Sequence, residues 1–329
     1  MDHDNRIYYF DNVKALLIIL VVIGHFIEFS VNSSQMYKCL FVFIYSFHMP
    51  LFIFISGLFH KDEHIPGKVL TDIIIGVVLK ILIFLTNLIL YGSALFSLFS
   101  DSGIPWFMFT LAAYEVLAYI LRNIDKKFLL IVSVIIGCFA GYDASIGDFL
   151  YLSRTIVFFP FFVLGLMVNK ETLLKITSKK NLKIISLLML IGWFACFYCF
   201  DSLYKLRYLF TGGYPFDSFS SELIQLYGGF FRMLCYIVSI AIGFSVLCVV
   251  PQKKLDFFSS FGTKSIQVYF WHQIILAVLK KTSLSSNLVN SPTGRIIWIV
   301  CAVAVAFFTG IKIFSFPVKQ IKDNCRVKA

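Results

Sequence analysis

Long apolar segments alternate with short polar breaks along the whole chain. Because a helix needs about 20 mostly apolar residues to cross the hydrocarbon core of a bilayer, segments of this length predict transmembrane helices. The breaks consist of charged or turn-forming residues, for example at 60–64 and 290–294. The pattern therefore predicts an all-α, polytopic membrane bundle of about ten helices. The predicted spans lie at about 12–31, 36–59, 69–91, 104–121, 128–145, 154–169, 183–204, 224–250, 265–280 and 295–316.

The composition agrees with a membrane as the solvent of this chain. Apolar residues make up 59% of the sequence and charged residues only 14%, and the mean hydropathy is +0.85. These values leave too little polar surface to keep a soluble domain in water. Because about ten spans and their connections use nearly all of the 329 residues, we expect a multi-pass protein of the cell membrane with no separate soluble domain.

The positive charges fall mainly in breaks that share one side of the membrane. The formal net charge is +11, which in a soluble protein would suggest a nucleic-acid partner. If the N-terminus is cytoplasmic, about eighteen Lys and Arg residues lie in inner loops and tails, against about five in outer loops. We therefore expect both termini inside the cell, membrane lipids as neighbours and no nucleic acid. The pattern leaves open whether the inner charges also attract the phosphates of a nucleotide-like donor.

Ionisable side chains inside the predicted spans are the candidates for chemistry. Such side chains are costly in hydrocarbon unless they face the protein interior or a water-filled cavity, so each is a functional candidate by default. The chain also has a CxxC pair, Cys196 and Cys199, but without nearby His or further Cys pairs it favours packing over metal or redox use, and we expect no metal. The ionisable candidates are Lys14, His25, His48, Lys80, Glu115, Arg232 and His272.

Lys14 and His25 are spaced so that both project from one face of the first span. They are eleven residues apart, and at about 100° per residue this closes to within about 20° of three full turns. Their separation along the helix axis is about 16 Å. The spacing lets the Lys14 cation hold a phosphate or carboxylate near the inner interface while the imidazole lies deeper; Lys14 could equally extend to the cytoplasmic headgroups.

His25, His48, Arg232 and His272 all fall in the central third of their predicted spans, with Glu115 about half-way along its own. A single buried histidine is more often a helix contact than a catalyst, but polar groups from five helices at similar depth indicate one shared cavity. Neutral imidazole can take a proton from a hydroxyl or accept an acyl group itself, and the residues leave both roles open. A nearby Arg or Lys could stabilise an oxyanion.

Several motifs resemble the membrane-bound acyltransferase family 3, and particularly its short members related to fucose 4-O-acetylases. The first span has the family's opening pattern of Asp11, a basic residue at Lys14, ten mostly apolar residues and His25. The later landmarks follow in the family's order, and the likeness runs over about 6–316. These landmarks are Ser46 to Phe52, Ser56-Gly57, Pro105-Trp106-Phe107, Arg154, Phe158 to Phe162, Gly165 and Ser265 to His272.

The resemblance implies an acyltransferase domain at 6–316, followed by a basic cytoplasmic tail at 317–329. It implies an acyl-CoA donor, commonly acetyl-CoA, loaded from the cytoplasm, and a hydroxyl of a surface carbohydrate or its lipid-linked precursor as acceptor. Many relatives have Arg where this chain has Lys14, and Lys lacks the bidentate fork of Arg. The chain has no room for the fused extracytoplasmic domain of members that acylate cell-wall polymers, which disfavours that substrate.

We therefore assign His25 as the catalytic base or acyl-accepting residue, with Lys14 near the charged part of the donor. The predicted supporting residues fall into two groups. The catalytic cavity is assigned to His48, Glu115, Arg232 and His272, and donor binding to Lys14, Arg154, Trp106 and Tyr269.

Two other classes of function compete with this interpretation. A proton-coupled transporter or flippase of an envelope glycan precursor would use the same intramembrane charges, but the matched pair of Gly- or Pro-broken spans typical of transporters is not found in the sequence. A structural subunit of a polysaccharide assembly complex needs no buried titratable cluster and ranks last.

Overall fold

The computed structural model describes residues 8–100 and 103–327, and within them it contains α-helices and short 3₁₀ turns but no β-strand. This confirms the all-α prediction for the described residues. Arg6, where the predicted domain begins, and Lys328 in the predicted tail lie outside the described residues. The helices are α1 (Tyr8–Glu28), α2 (Gln35–Leu58), α3 (Ile65–Tyr91), α4 (Trp106–Ile120), α5 (Lys126–Phe139), α6 (Leu152–Met167), α7 (Lys170–Thr177), α8 (Lys180–Cys199), α9 (Arg207–Thr211), α10 (Glu222–Val249), α11 (Asp256–Gly262), α12 (Ser265–Lys281), α13 (Ser283–Val289), α14 (Pro292–Thr309) and α15 (Val318–Val327).

Seven helical segments in the described part of the chain are long and apolar enough to cross a membrane, so the protein is a multi-pass membrane protein. They are α1, α2, α3, α8, α10, α14 and α6 with the turn before it. The other three predicted spans correspond to shorter helices, α4 with 15 residues, α5 with 14 and α12 with 17. The prediction of ten spans is therefore confirmed only in part. Only α5 ends well before its predicted span does, at the 3₁₀ turn Ala140–Tyr142.

The chain divides into two compact units. The first unit comprises 1–44, 171–204 and 242–318, and the second comprises 45–170, 205–241 and 319–329. In the first unit, α1 packs against α11, α12 and α14. In the second unit, α3 packs against α4, and α5 packs against α6. The predicted site residues are distributed over both units, and each unit is described separately below.

Polar contacts hold the first half of α1 in place within the first unit. Asn12 is fully buried, and its amide nitrogen donates to the carbonyls of Pro251 and Lys253, each at 2.9 Å. The Ser259 hydroxyl of α11 donates to the Asn12 side-chain oxygen at 2.7 Å. Gly262 allows α11 to approach this closely, because a Cβ there would lie only 1.8 Å from the Asp11 carbonyl oxygen. These contacts fix the position of α1, and with it His25 further along the helix.

Candidate active site

His25 lies in the last turn of α1, next to a carboxylate. Its Nδ1 is 3.1 Å from Oε2 of Glu28, one helical turn further along, and the His25 side chain is 20% exposed. An ionised carboxylate can only accept, so Nδ1 carries the proton in this contact, and in a neutral ring Nε2 carries the lone pair. Residues three apart face the same side of a helix, which is why Glu28 reaches the ring. Because α1 ends at Glu28, His25 is nearer to a helix end than the predicted span 12–31 suggests.

His272 on α12 is the nearest predicted partner of His25. The ring centroids are 5.5 Å apart, with an interplanar angle of 31°. His272 is fully buried, and its Nδ1 lies 3.0 Å from the Val268 carbonyl oxygen. Since a carbonyl only accepts, Nδ1 is protonated, and the lone pair of neutral His272 is on Nε2. That Nε2 is buried and has no hydrogen-bond partner among the described residues. The His272 ring that packs beside His25 therefore has an acceptor nitrogen that forms no hydrogen bond.

Trp298 on α14 fixes the end of α1 that carries His25. Its indole nitrogen donates to the Phe26 carbonyl oxygen at 2.7 Å, and its ring packs on the Phe26 ring at 4.9 Å between centroids. The last carbonyls of a helix have no partner within the helix, so this contact satisfies one of them. Tyr269 lies one turn before His272, with its ring centroid 6.2 Å from the imidazole. The first unit therefore brings together His25, His272 and Tyr269 from the predicted set.

Lys14 is held by Asp11 at the other end of α1. Its Nζ is 2.9 Å from Oδ1 of Asp11, whose side chain is 6% exposed, whereas the Lys14 side chain is 30% exposed. The buried carboxylate fixes the position of the ammonium group on the helix face that also carries His25. Asp11 and Lys14 are the acidic and basic residues of the opening motif, so this part of the motif forms an ion pair in the first unit.

In the second unit, Trp106 and Arg154 contact each other. The Arg154 guanidinium carbon lies 4.9 Å from the Trp106 ring centroid, a cation–π arrangement. Trp106 in turn stacks on Phe158 of α6 at 5.5 Å. Two of the four residues that the sequence groups for donor binding are therefore neighbours in space. His48 is also buried in this unit, and its ring packs edge-on against the Tyr45 ring at 4.9 Å.

Glu115 lies on α4, the fourth predicted span, and contacts residues that the sequence did not pair with it. Its carboxylate contacts polar groups at the start of α3 and in the connection before it. His60 Nδ1 lies 3.0 Å and Lys68 Nζ 3.5 Å from Glu115 Oε2. These contacts arise because α4 packs beside α3, which sequence spacing alone does not predict. The prediction that Glu115 and the buried histidines share one cavity stays a prediction.

Glu115 and Lys68 form one side of a cavity of about 440 Å³ in the second unit. His60 also contacts Asp62 through Nε2, at 3.1 Å, so both of its ring nitrogens face carboxylates. The hydrogen bond to Glu115 raises the pKa of His60 above its ordinary 6.5, and burial opposes this only in part. The cavity mixes cations and anions, and Lys322 from α15 reaches it. Its lining residues are Lys61, Glu63, His64, Gly67, Lys68, Thr71, Asp72, Glu115 and Lys322.

Sequence reasoning did not select Glu28, His60 or Trp298 as site residues. Glu28 could have been found by asking which carboxylate lies one helical turn from His25. His60 belongs to a polar break, so it was not considered among the intramembrane groups. Trp298 has no local signal, because its role depends on the packing of α14 against α1.

Comparison with known proteins adds a family assignment to this geometry. The family model described as an acyltransferase domain matches residues 7–311. Nodulation protein NolL of Sinorhizobium fredii (strain NBRC 101917 / NGR234) is 26% identical over 219 residues, which is 60% of this chain. The match covers 57% of NolL, so the chain spans less than two thirds of the length of this curated relative. No solved structure matches the chain.

Proposed function

The chain belongs to the acyltransferase family whose model covers residues 7–311, and from this we propose that it is an integral membrane O-acyltransferase. It moves an acyl group, an acetyl group in the first instance, from coenzyme A to a hydroxyl of a surface carbohydrate or its lipid-linked precursor. The observation that carries the proposal is the His25–His272 pair, with ring centroids 5.5 Å apart and Glu28 on Nδ1 of His25.

The proposed chemistry uses His25 as a general base. Glu28 holds the proton on Nδ1, so Nε2 takes the proton of the acceptor hydroxyl as its oxygen attacks the thioester carbonyl carbon. The tetrahedral intermediate then collapses with cleavage of the C–S bond, and the CoA thiolate leaves with the proton that His25 returns. The Nε2 lone pair of His272 accepts a hydrogen bond from a neighbouring hydroxyl of the acceptor and so orients the attacking group. His25 thus begins and ends each cycle neutral.

The donor is proposed to enter from the cytoplasmic side of the membrane. Both termini are cytoplasmic, as the distribution of Lys and Arg favours, and the donor enters from that side. Lys14, about 16 Å from His25 along α1, lies near the charged part of acetyl-CoA. Arg154, Trp106 and Tyr269 are proposed to contribute to donor binding, and the reaction uses no metal.

The test is transfer of labelled acetyl from acetyl-CoA to a panel of sugars by the purified full chain in lipid nanodiscs. His25→Ala is expected to reduce kcat by about 1,000-fold or more, the upper range for a positioned acid–base group. His64→Asn is a matched control, since His64 is exposed, has φ of 54° and Asn tolerates that backbone region. Parental transfer by His25→Ala would contradict the assignment of His25. Movement of a glycan across the membrane without transfer of acetyl would favour the transporter.

Two further measurements extend this test. Mass spectrometry of the intact protein after incubation with acetyl-CoA alone separates the two roles of imidazole. A general base leaves the mass unchanged, whereas an acylated His25 adds one acetyl group. Mass spectrometry of surface glycans from cells with and without the gene identifies the acceptor as the sugar that loses an acetyl mass.

A further inference from the structure

The cavity of about 440 Å³ in the second unit has no part in the reaction proposed above. Its residues come from the connection before α3, the first turns of α3, α4 and α15. Gly67 and Thr71 of α3 are buried at this cavity. Lys61, Glu63 and His64 also line it and are exposed, so the cavity opens to the protein surface. A cavity of this volume accommodates a small molecule or a lipid headgroup.

The charged groups that line the cavity balance one another. Three ammonium groups and three carboxylates line it, so their formal charges sum to zero. A ligand with several negative charges, such as a nucleotide, would bring its phosphates beside three carboxylates without a surplus of cations to offset the repulsion. A ligand with one charge of each sign finds a partner for both. The charged residues are Lys61, Lys68, Lys322, Glu63, Asp72 and Glu115.

Some of these charges have partners within the protein, whereas others do not. The Glu115 carboxylate is shared, since its Oε2 lies 3.0 Å from His60 Nδ1 and 3.5 Å from Lys68 Nζ. By contrast, the Lys61 ammonium and the Glu63 carboxylate form no ion pair with another residue in the part of the chain that the structure describes. The open side of the cavity therefore presents a cation and a carboxylate to a ligand.

The cavity lies at the depth of the lipid headgroups. Helix α3 has 27 residues, which at about 1.5 Å per residue is about 40 Å, longer than the hydrocarbon core of about 30 Å. Its polar cavity residues Lys68, Thr71 and Asp72 lie within about 10 Å of its first residue. Ile73, Ile74 and Ile75 follow directly and begin the apolar part of the helix. Because the apolar part lies in the hydrocarbon, these first turns lie in the headgroup layer.

The side chains of the cavity also indicate the type of ammonium group. Lys322 and Asp72 are close enough to interact electrostatically, so a cation and a carboxylate lie near each other, as a phosphate and an ammonium do in one lipid headgroup. A primary ammonium donates hydrogen bonds, which carboxylates accept. A quaternary ammonium donates none and is bound by aromatic rings instead, but no Phe, Tyr or Trp is among the described residues that line this cavity.

We propose that this cavity binds the headgroup of a zwitterionic phospholipid with a primary ammonium, a lipid of the phosphatidylethanolamine type. The lysines hold the phosphate, and Glu63 and Asp72 accept hydrogen bonds from the ammonium. The acyl chains run along α3, where the apolar side chains of Leu70 and Ile73 are exposed next to Thr71 and Asp72. The lipid belongs to the leaflet at the start of α3. This inference does not depend on the proposed acyl transfer.

The first experiment measures the lipid selectivity of the parental chain. The full chain, purified in detergent, receives equal amounts of phosphatidylethanolamine, phosphatidylcholine and phosphatidylglycerol, and native mass spectrometry counts the bound lipids. We expect phosphatidylethanolamine to be retained about tenfold more than either other lipid, the effect of one charge-assisted hydrogen bond. Equal retention of the ethanolamine and choline lipids, or a preference for the anionic phosphatidylglycerol, would overturn the proposal.

The second experiment distinguishes the lipid from a soluble source of the same headgroup. The thermal midpoint is measured with phosphatidylethanolamine and with free phosphoethanolamine at the same concentration. We expect the lipid to raise the midpoint by several degrees and the free headgroup to have a smaller effect, because it has no acyl chains to bind along α3. An equal or larger rise with free phosphoethanolamine would assign the cavity to a soluble ligand and contradict the proposal.

The variants assign the selectivity to the cavity. Asp72→Asn and Glu63→Gln each remove a carboxylate and are expected to lower the preference for the ethanolamine lipid over the choline lipid. Glu63 is exposed, so its variant serves where Asp72→Asn does not fold. Lys61→Gln combined with Lys322→Gln is expected to lower the retention of all three lipids. Lys127→Gln removes an exposed cation of α5 outside the cavity and should keep the parental selectivity.

Unchanged selectivity in both carboxylate variants, or unchanged retention in the double lysine variant, would also overturn the proposal. None of these measurements requires transfer of an acetyl group. Failure of the lipid site therefore leaves the proposed acyltransferase reaction standing, and failure of that reaction leaves the lipid measurements valid.

Discussion

His25 with Glu28 in the first unit and His60 with Glu115 in the second form two pairs of nearly equal geometry. In each pair Nδ1 faces a glutamate Oε2, at 3.1 Å for His25 and 3.0 Å for His60. The pairs differ in what else surrounds the ring. His60 meets the Asp62 carboxylate at its other nitrogen, whereas His25 packs beside the imidazole of His272.

This difference separates a structural histidine from a candidate catalyst. Carboxylates at both nitrogens favour the protonated ring of His60, which has no lone pair with which to take a proton. A carboxylate at Nδ1 of His25 orients the ring and keeps the proton on that side. A histidine–glutamate pair is thus not by itself an active site, and the groups around the second ring nitrogen decide its role. Three pairs of substitutions test the comparison, in order of decreasing effect.

Substitutions of His272, the ring that packs beside His25, are expected to have the largest effect on kcat. Asn at 272 keeps an amide N–H near the position of Nδ1 but removes the acceptor at Nε2, whereas Gln places an amide group near Nε2. We expect His272→Asn to lower kcat by about 100-fold, the loss that misplacement of a reacting group by about 1 Å can cause, and His272→Gln to retain more activity. Equal activity in the parental chain and both variants would mean that His272 only fills space.

The two glutamates are compared by removing one carboxylate at a time. Glu28→Gln is expected to lower kcat about tenfold with little change in KM, because a partner that orients an active imidazole typically contributes this much. Glu28 is 52% exposed in its side chain, so we expect little change in thermal midpoint, and Glu28→Asp should restore part of the rate.

Glu115→Gln should give the opposite result. The His60 and Glu115 side chains are 7% and 14% exposed, so losing this charge pair should cost about 1–3 kcal/mol of stability. That corresponds to a midpoint about 2–6 °C lower, with kcat within a factor of about three. A large loss of kcat in Glu115→Gln with an unchanged midpoint would reverse the roles that we assign to the two pairs.

The smallest expected effect is the pH dependence of the His60 pair. The pKa of His60 is raised in the folded protein, chiefly by the hydrogen bond to Glu115. The folded state therefore holds this proton more tightly than the unfolded state. Its contribution to stability is complete below pH 6.5 and is lost as the pH rises through the folded pKa.

This direction of the pH dependence predicts the result of a substitution at His60. The parental chain should lose more in thermal midpoint than His60→Gln between pH 6 and pH 9, because only the parental chain loses the stabilisation that depends on the His60 proton. Parallel midpoint curves for the two proteins would show that His60 is not protonated preferentially in the folded state. His64→Asn should follow the parental curve.

The sequence by itself determined the membrane class and the positions of the helices. Apolar segments of bilayer length leave the backbone no alternative to helix, because water is not available to satisfy its polar groups. Helical periodicity also placed Lys14 and His25 on one face, and the motif order indicated the family that the match over residues 7–311 confirms. The prediction was less accurate for the number of spans, because short helices such as α12 carry the same apolar signal as full-length ones.

Tertiary structure alone decided which polar groups from different helices meet. His25 and His272 are far apart in the chain, and no periodicity predicts that α12 packs beside the end of α1. The same is true of Glu115, whose contacts with His60 and Lys68 depend on α4 packing beside α3. Local spacing fixes directions along one helix, whereas contacts between helices depend on the packing of all side chains between them. The contacts of buried Arg232 with Leu209 and Phe216 likewise depend on packing and could not be predicted from spacing.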